Sequence, residues 1–218
     1  MYKTRLEFSK TGKAAYISHL DLLRVMQRAL IRAGADVWHT EGFNPHVYVS
    51  GLLPLSVGHE SLCEILEFIL LCPAPAGLAR DIGAVLPEGL CPTRAYPAVN
   101  KPALIKYAQY EIRFFSEAGL GAQAAEETRG LLDSGNITIT RKSKRGERRE
   151  DIGGMIIAPD IACADGVLSL KVTLPANSQD FINPDYLTGA VKALPGLENA
   201  YAAVKRTAIL KEDMGKFE

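Results

Sequence analysis

The sequence predicts an α+β fold made of two tandem domains, each with the element order βαββαβ. Segments that alternate apolar and polar residues are interleaved with segments in which apolar residues recur at helical spacing. This order of segments occurs once in each half of the chain, without repetition of the residues themselves. The length of 218 residues suits one large domain or two small ones.

The composition is that of a globular protein. Hydrophobic residues make up 47% and charged residues 23%, which excludes a wholly disordered chain. The 25 Lys and Arg residues balance 25 Asp and Glu residues, so the formal charge is zero. A uniformly basic, histone-like surface is therefore excluded, whereas local basic patches are not.

The predicted N-terminal domain spans residues 1–98. Residues 3–9 alternate, with Arg5 and Glu7 on the face opposite the apolar side chains, which predicts a half-buried strand. Residues 19–33 have helical spacing, and Ser18 precedes them as the N-cap. The remaining predicted elements are strand pieces at 37–39 and 47–50, a strand at 62–71, a helix at 75–86 and a strand at 90–96.

Residues 97–106 carry two prolines and little pattern, which predicts a linker to the C-terminal domain, residues 107–218. The predicted elements there are strands at 108–116 and 137–141, helices at 122–132 and 184–194, strands at 167–174 and 201–210, and a further segment at 151–158 after a basic turn. Each domain thus has the order of the split βαβ, or ferredoxin-like, unit, with an extra strand and a basic hairpin in the second.

The sequence offers no membrane span and no metal motif. No apolar run approaches the roughly 18 residues that cross a bilayer, and the first residues lack a secretory apolar core, so a cytoplasmic protein is expected. The cysteines form no C-x-x-C pair, and we interpret them as small hydrophobic residues. They are Cys63, Cys72, Cys91 and Cys163. We expect no metal or other cofactor in this chain.

All four histidines lie within residues 19–59, which makes this region the candidate site. His19 follows Ser18 at a predicted helix start, where unpaired N–H groups attract anions. Two imidazoles have pKa values suited to acid–base chemistry, so His19 and His46, with Asp21 or Glu64, are candidate catalytic residues. A metal site assembled from His19, His46 and Glu64 is an alternative, although the spacing matches no zinc motif.

The segment Gly42-Phe43-Asn44-Pro45-His46 places an aromatic ring in a predicted turn. A ring at a rigid turn suits stacking on a base, and the alternative is that Phe43 plugs the end of the core. Arg24, Arg28 and Arg32 form a helical row that suits phosphate contacts or is simply a solvated face. The candidate ligand-binding residues are Ser18, Arg24, Arg28, Gly42, Phe43, Asn44 and Pro45.

A second basic feature lies at residues 141–149, where six of nine residues are Lys or Arg. Such a hairpin tip suits contacts with a nucleic-acid backbone or an acidic protein partner, and the alternative is a solvated turn without a partner. The candidate nucleic-acid or partner-binding residues are Arg141, Lys142, Lys144, Arg145, Arg148 and Arg149.

Several motifs together resemble the radical-SAM-linked protein family of bacteria. They are Arg5-Leu-Glu-Phe8, the S-H-L-D of residues 18–21, the E-G-F-N-P-H of residues 41–46, and the basic turn that runs into Asp151-Ile152. The chain departs from the family at Val47, where a second proline is expected, and at Gly153-Gly154.

The resemblance implies a partner, a cobalamin-dependent radical SAM protein. The iron–sulfur cluster, S-adenosylmethionine and cobalamin would belong to that partner, because this chain has no three-cysteine cluster motif. Tandem ferredoxin-like domains are similar to those of CRISPR repeat-processing endoribonucleases, which makes RNA a candidate substrate.

Three functions therefore remain open from the sequence. The first is an accessory or substrate-binding protein that acts with a radical SAM partner, with RNA as one candidate substrate. The second is an RNA-processing or RNA-modifying enzyme with a His19/His46 acid–base site. The third is an interaction protein without a site. The first two require that residues 18–28 and 41–46 meet in space.

Overall fold

The computed structural model describes residues 1–143, 146–177 and 179–218, with the backbone alone at 142 and 143. The described residues form a mixed α+β fold with a mainly antiparallel sheet and four α-helices. The chain divides into two compact units, Met1–Leu104 with Lys216–Glu218, and Ile105–Gly215. Within these ranges, no helix is both long and apolar enough to cross a bilayer.

The first unit contains a four-stranded antiparallel sheet and two helices. Strand β4 pairs with β1, β1 with β3, and β3 with β2. The elements in chain order are β1 (Tyr2–Lys10), α1 (His19–Arg32), β2 (Val49–Gly51), β3 (Glu60–Leu70), α2 (Leu78–Gly83) and β4 (Leu90–Pro97), with a 3-10 turn at Gly12–Tyr16.

Two elements of this unit are shorter than the sequence pattern predicts. The helix expected at 75–86 begins only at Leu78, after Gly77, whose φ of 86° lies outside the helical region. The strand expected at 37–39 is reduced to isolated bridges at Val37 and His39.

One face of the first sheet forms the apolar core under α1 and α2. Leu6 pairs with Leu66 across β1 and β3, and both are 1% exposed. Met26 and Leu30 of α1, each 0% exposed, pack in the same cluster. The predicted helical stripe of α1 thus faces the sheet, as its spacing requires.

The opposite face of the sheet is also buried, and its centre is an ion pair. Arg5, expected on the exposed face, is 1% exposed, and its Nε and Nη2 donate to Glu67 Oε2 at 3.3 and 3.2 Å. Its Nη1 donates to the main-chain oxygen of Glu218, and its guanidinium lies 4.9 Å from the centre of the Phe217 ring. The last residues of the chain therefore cover this face, and the charge is buried with partners, as a buried charge requires.

The second unit contains a four-stranded antiparallel sheet in the order β10-β5-β9-β8 and a separate hairpin, β6-β7. The further segment expected at 151–158 comprises the last residue of one strand, Asp151, a 3-10 turn at Gly153–Met155, and the start of the next strand at Ile157. The elements are β5 (Tyr107–Phe115), α3 (Ala122–Asp133), β6 (Thr138–Ser143), β7 (Gly146–Asp151), β8 (Ile157–Ala164), β9 (Val167–Pro175), α4 (Pro184–Lys192) and β10 (Tyr201–Leu210).

Gly89, in the turn before β4, lies so close to the main chain at Thr11 that a side chain would not fit there. Its φ is 87°, and a Cβ there would lie 2.3 Å from the Thr11 main-chain oxygen. We expect Gly89→Ala to lower the free energy of unfolding by at least about 2 kcal/mol more than Gly34→Ala, because overpacking adds to the backbone strain. Gly34 is the matched control, with a φ of 72° and nothing within 4 Å of its Cβ position. Chemical denaturation measures both variants, and equal losses would contradict the packing argument.

Candidate functional site

The start of α1 is closed by a network around Asp21. Ser18 Oγ accepts a hydrogen bond from the Asp21 N–H at 3.2 Å and donates one to Asp21 Oδ2 at 2.8 Å. Arg24 Nη1 donates to Asp21 Oδ1 at 2.8 Å. The Ser18 hydroxyl, and then Arg24, hold the pKa of Asp21 below its ordinary value. Asp21 is therefore an ionised partner of the helix cap, which makes it a poor proton donor or acceptor at neutral pH.

His19 packs against β2 at the same end of α1. A Cβ at Gly51 would lie 3.0 Å from His19 Cε1, so the glycine leaves the space that the imidazole fills. Gly51 itself pairs with Leu66 of β3. This contact fixes the start of the helix against the edge of the sheet and leaves the His19 ring half-buried.

Residues 40–46 form a loop closed by main-chain and side-chain hydrogen bonds. The Thr40 N–H donates to the His46 main-chain oxygen at 2.8 Å, and the His46 N–H donates to Thr40 Oγ1 at 3.2 Å. His46 Nδ1 lies 3.1 Å from Thr40 Oγ1 and 3.0 Å from the Asn44 main-chain oxygen. The His46 ring is thus oriented through Nδ1, and a ligand would meet its Nε2 edge.

The base of this loop is braced by aromatic residues. His39 and Val47 form an isolated antiparallel bridge, and the rings of Trp38 and Tyr48 lie 6.3 Å apart in a tilted arrangement. Tilted aromatic pairs at this separation attract each other. The loop therefore projects from an ordered stem.

Phe43 lies at the tip of the loop and is fully exposed, at 106% of its reference area. The alternative expectation, that the Phe43 ring packs at the end of the core, is therefore wrong. Gly42 beside it has a φ of 120°, a conformation that other residues rarely adopt. The exposed ring leaves an aromatic face on which another ring could stack.

A hydrogen bond joins the loop stem to the middle of α1. Gln27 Nε2 donates to the Val47 main-chain oxygen at 2.9 Å. Gln27 lies one helical turn from Arg24 on the helix surface, and Arg24 and Arg28 are both exposed. The arginine row and the loop therefore lie on adjoining surfaces of the first unit.

The contact of His19 and the contact of the loop stem lie at different points along α1. His19 contacts Gly51, whereas the loop meets the helix at Gln27, eight residues further along α1. Eight residues of α-helix span about 12 Å. An acid–base pair that acts on one bond needs both groups within hydrogen-bond reach of it. The separation suits an extended ligand better than a shared reacting atom.

Glu64 lies apart from this surface. It pairs with Phe8 across β1 and β3 and is 6% exposed, on the sheet face that carries the apolar core. Further buried polar residues lie in the same unit, namely Lys10, His59 and Ser61. Lys10 Nζ donates to the Ala15 main-chain oxygen at 2.9 Å, which ties β1 to the following turn.

The basic hairpin of the second unit is divided between structural and exposed residues. Arg141 forms an ion pair with Glu150, at 2.6 Å, and donates to the Phe181 main-chain oxygen. Arg148 and Arg149 are exposed and, as neighbours in β7, point to opposite faces of the hairpin. The side chain of Lys142, and all of Lys144 and Arg145, lie outside the described residues.

In the described part of the chain, no three histidine, cysteine or acidic side chains come together as metal ligands. The residues that the sequence interpretation missed are Gln27, Thr40 and Gly51. Gly51 could have been found from the sequence, because a glycine within a strand often marks a place where another group packs closely against the backbone.

The chain is similar to one protein family and, in its fold, to several solved structures. A model of the family described as "Uncharacterized protein conserved in bacteria (DUF2344)" matches residues 3–184. No curated protein matches the sequence. A crystal structure of a Cbf5-Nop10-Gar1 complex matches at 12% identity and a TM-score of 0.50, over 96% of this chain and 50% of that chain. A protein from Galdieria sulphuraria matches at 11% identity and a TM-score of 0.28, over 94% and 98%.

The likeness to the Cbf5-Nop10-Gar1 structure concerns the fold alone, because the identity is low. This chain spans about half the length of the chain it matches there. The likeness to the Galdieria protein is too weak to carry an argument.

Titration of Asp21 tests the hydrogen bond from Ser18 at the start of α1. We expect Ser18→Ala to raise the pKa of Asp21 back toward 3.8, because the hydroxyl that stabilises the carboxylate is removed. The folded-state pKa of Asp21 lies below the unfolded value. The carboxylate therefore adds stability above the unfolded pKa, and this is lost as the pH falls through the folded pKa.

Carboxyl carbon shifts measured by NMR follow this titration. Asp213 is the matched control, because its pKa is lowered by the Gly215 N–H and Lys211, far from Ser18 in sequence. An unchanged Asp21 titration in the variant would contradict the assigned cause.

Proposed function

The chain belongs to the bacterial family DUF2344, and we propose that it is an accessory protein that binds a single-stranded RNA segment and presents it to a cobalamin-dependent radical SAM enzyme. The observation that carries the RNA-binding part is Phe43, fully exposed on a loop whose stem is hydrogen-bonded to α1, the helix that carries the arginine row. The radical SAM part rests on the resemblance of the S-H-L-D and G-F-N-P-H motifs.

Single-stranded RNA fits this surface for two reasons. Unstacked bases stack on exposed aromatic side chains, and each such contact contributes about 1–3 kcal/mol. Exposed guanidinium groups, here of Arg24 and Arg28, contact the phosphates between the bases. His46, oriented through Nδ1, adds a second ring and a polar edge to the same loop.

The geometry favours binding over an enzyme that uses His19 and His46 as acid and base. His19 contacts Gly51 at the start of α1, whereas the stem of the loop that carries His46 meets the helix at Gln27, about 12 Å further along its axis. Asp21 is engaged in the helix cap, and Glu64 is buried on the core face of the sheet. The chemistry is accordingly assigned to the partner, together with its iron–sulfur cluster, S-adenosylmethionine and cobalamin.

The strand orders are compatible with two ferredoxin-like units. The first unit has the order β4-β1-β3-β2 and the second β10-β5-β9-β8, each from a βαββαβ succession once the β6-β7 hairpin is set aside. We interpret the hairpin as an insertion whose exposed residues Arg148 and Arg149 add a second, weaker RNA contact.

Phe43 is the direct test of stacking. We expect Phe43→Ala to weaken binding of a fluorescein-labelled 12-residue oligouridylate about 5- to 150-fold, which corresponds to the loss of one stacked base. Fluorescence anisotropy at low salt measures the affinity. Val99→Ala, also in the first unit and 82% exposed, is the matched control and should bind like the unaltered protein. An unaltered protein without affinity for the oligonucleotide would overturn the proposal.

The arginine row is tested by the salt dependence of the same binding. For single strands, the logarithm of affinity falls with the logarithm of salt by about 0.7 per neutralised phosphate. The double change Arg24→Glu and Arg28→Glu should therefore weaken binding and lower this slope by about 1.4. Arg129→Glu, an exposed helical arginine in the second unit, is the control. A slope that is equal in both variants would argue against phosphate contacts at α1.

A further inference from the structure

A short strap, residues Lys216–Glu218, lies over the outer face of the first sheet, the face opposite α1 and α2. The Phe217 ring of the strap is 3% exposed, and the Arg5 guanidinium lies 4.9 Å from its centre. A guanidinium that is removed from water interacts favourably with an aromatic ring. The sheet thus holds the strap by an aromatic side chain.

Glu218 adds two polar contacts to this ring. Its main-chain oxygen accepts hydrogen bonds from Arg5 Nη1 at 3.3 Å and from Asn100 Nδ2 at 2.7 Å. Its carboxylate forms an ion pair with Arg94 Nη2 at 3.0 Å. The outer face therefore contacts an aromatic ring, a main-chain carbonyl group and a carboxylate, which together are the features of an aromatic–acidic dipeptide.

The donors on the sheet are held in place by residues other than the strap. Arg5 Nε and Nη2 donate to Glu67 Oε2 at 3.3 and 3.2 Å. Arg94 Nε donates to Glu7 Oε2 at 2.7 Å. Each guanidinium keeps these bonds when the strap leaves, so its remaining N–H groups stay directed at the vacated place. Donors that are fixed before binding lower the entropy cost of binding a ligand.

The charges on this face balance only when the strap is present. Lys3 and Arg5 both pair with Glu67, at 3.3 and 3.2 Å, and Arg94 pairs with Glu7. These contacts join three cations to two carboxylates, and the strap supplies a third carboxylate. A ligand that replaces the strap therefore needs an acidic group, because a buried charge without a partner is costly.

The strap leaves one buried polar group next to it unsatisfied. Tyr96 lies opposite Arg5 on β4, and its hydroxyl is buried without a hydrogen-bond partner among the described residues. Burial, then the charge of Glu7 and more weakly that of Glu218, raise the pKa of Tyr96, so the hydroxyl keeps its proton at neutral pH. A ligand acceptor that reaches this hydroxyl gains a hydrogen bond that the strap does not make.

Release of the strap involves few residues. The residues before it, 211–215, form a turn of their own, in which the Lys211 N–H donates to the Gly215 main-chain oxygen at 2.9 Å and the Gly215 N–H donates to Asp213 Oδ1 at 3.0 Å. The ion pair of the strap with Arg94 is partly exposed and stabilises little. Release therefore costs chiefly the burial of the Phe217 ring, a local opening that leaves the sheet intact.

We propose that the outer face of the first sheet is a peptide-binding site that the strap occupies within the chain, and that a partner-protein segment with an aromatic residue followed by an acidic residue displaces the strap. The ring of the partner segment takes the place of Phe217 on Arg5, and its acidic side chain pairs with Arg94. The site shares no residue with the loop and α1, so this proposal is independent of RNA binding there.

The test compares the full chain with the full-chain variant Phe217→Ala and Glu218→Ala, in which the site is vacated. Binding of the peptide acetyl-GKFEG-amide is followed by ¹H–¹⁵N NMR. We expect the variant to bind it with a dissociation constant of about 0.1–1 mM and to show shifts at residues 4–8 and 94–100. The unaltered protein should bind about 3- to 10-fold more weakly, because the strap competes at a millimolar effective concentration.

The recognised groups are tested by changing one at a time. The peptide acetyl-GKAEG-amide lacks the ring and acetyl-GKFQG-amide lacks the charge, and each should bind the vacated variant at least about 5-fold more weakly. Adding Asn100→Ala to that variant removes a donor to the peptide carbonyl group and should weaken binding of acetyl-GKFEG-amide about 5-fold. Lys101→Ala, at the exposed neighbouring position, is the matched control.

Undetectable binding to the vacated variant, equal affinity for the three peptides, or equal affinity of the variant and the unaltered protein would each overturn the proposal. If the double change unfolds the chain, Glu218→Gln alone replaces it. Loss of that partly exposed ion pair should tighten peptide binding about 2- to 5-fold, and an unchanged affinity would count against displacement. Oligouridylate binding at the loop should be the same in all these variants, so failure here and failure of RNA binding are distinguishable.

Discussion

The hydrogen bond from Gln27 to the Val47 main-chain oxygen is the contact on which the proposed binding surface depends. The loop at 40–46 buries no side chain of its own, so its position is set by its stem and by this bond to α1. A second contact, His19 against Gly51, fixes the start of the same helix on β2. Together they fix the stem of the loop and the start of α1 relative to each other, which neither contact would do alone.

Both faces of the first sheet are covered within the chain. One face carries the apolar core under the helices, and the other carries the Arg5–Glu67 ion pair under the last residues of the chain. Buried charges of this kind stabilise little against a hydrophobic alternative but are costly to break. The loop and the flank of α1, proposed above as the binding surface, lie outside both covered faces.

The sequence predicted what short-range forces determine. The period of α1, the Ser18 cap and most strands were foreseen, because side-chain spacing and capping act within a few residues. The burial of Arg5 was not foreseen, since its cover comes from residue 218 at the other end of the chain. The Gln27–Val47 bond and the His19–Gly51 contact were not foreseen either, because each joins residues from different elements that only the folded chain brings together. The Gly42–His46 segment was singled out correctly as an unusual turn, whereas the exposure of Phe43 depends on tertiary structure.

We propose that the loop at 40–46 and the flank of α1 bind RNA as one surface. The most direct measurement is a ¹H–¹⁵N NMR titration of the full chain with an unlabelled oligouridylate. We expect amides of residues 41–46 and of residues 24–28 to shift together with a single dissociation constant. We also expect Gln27→Ala to weaken RNA binding, because it removes the hydrogen bond between the loop stem and α1. Shifts confined to one of the two segments, or to the second unit, would contradict it.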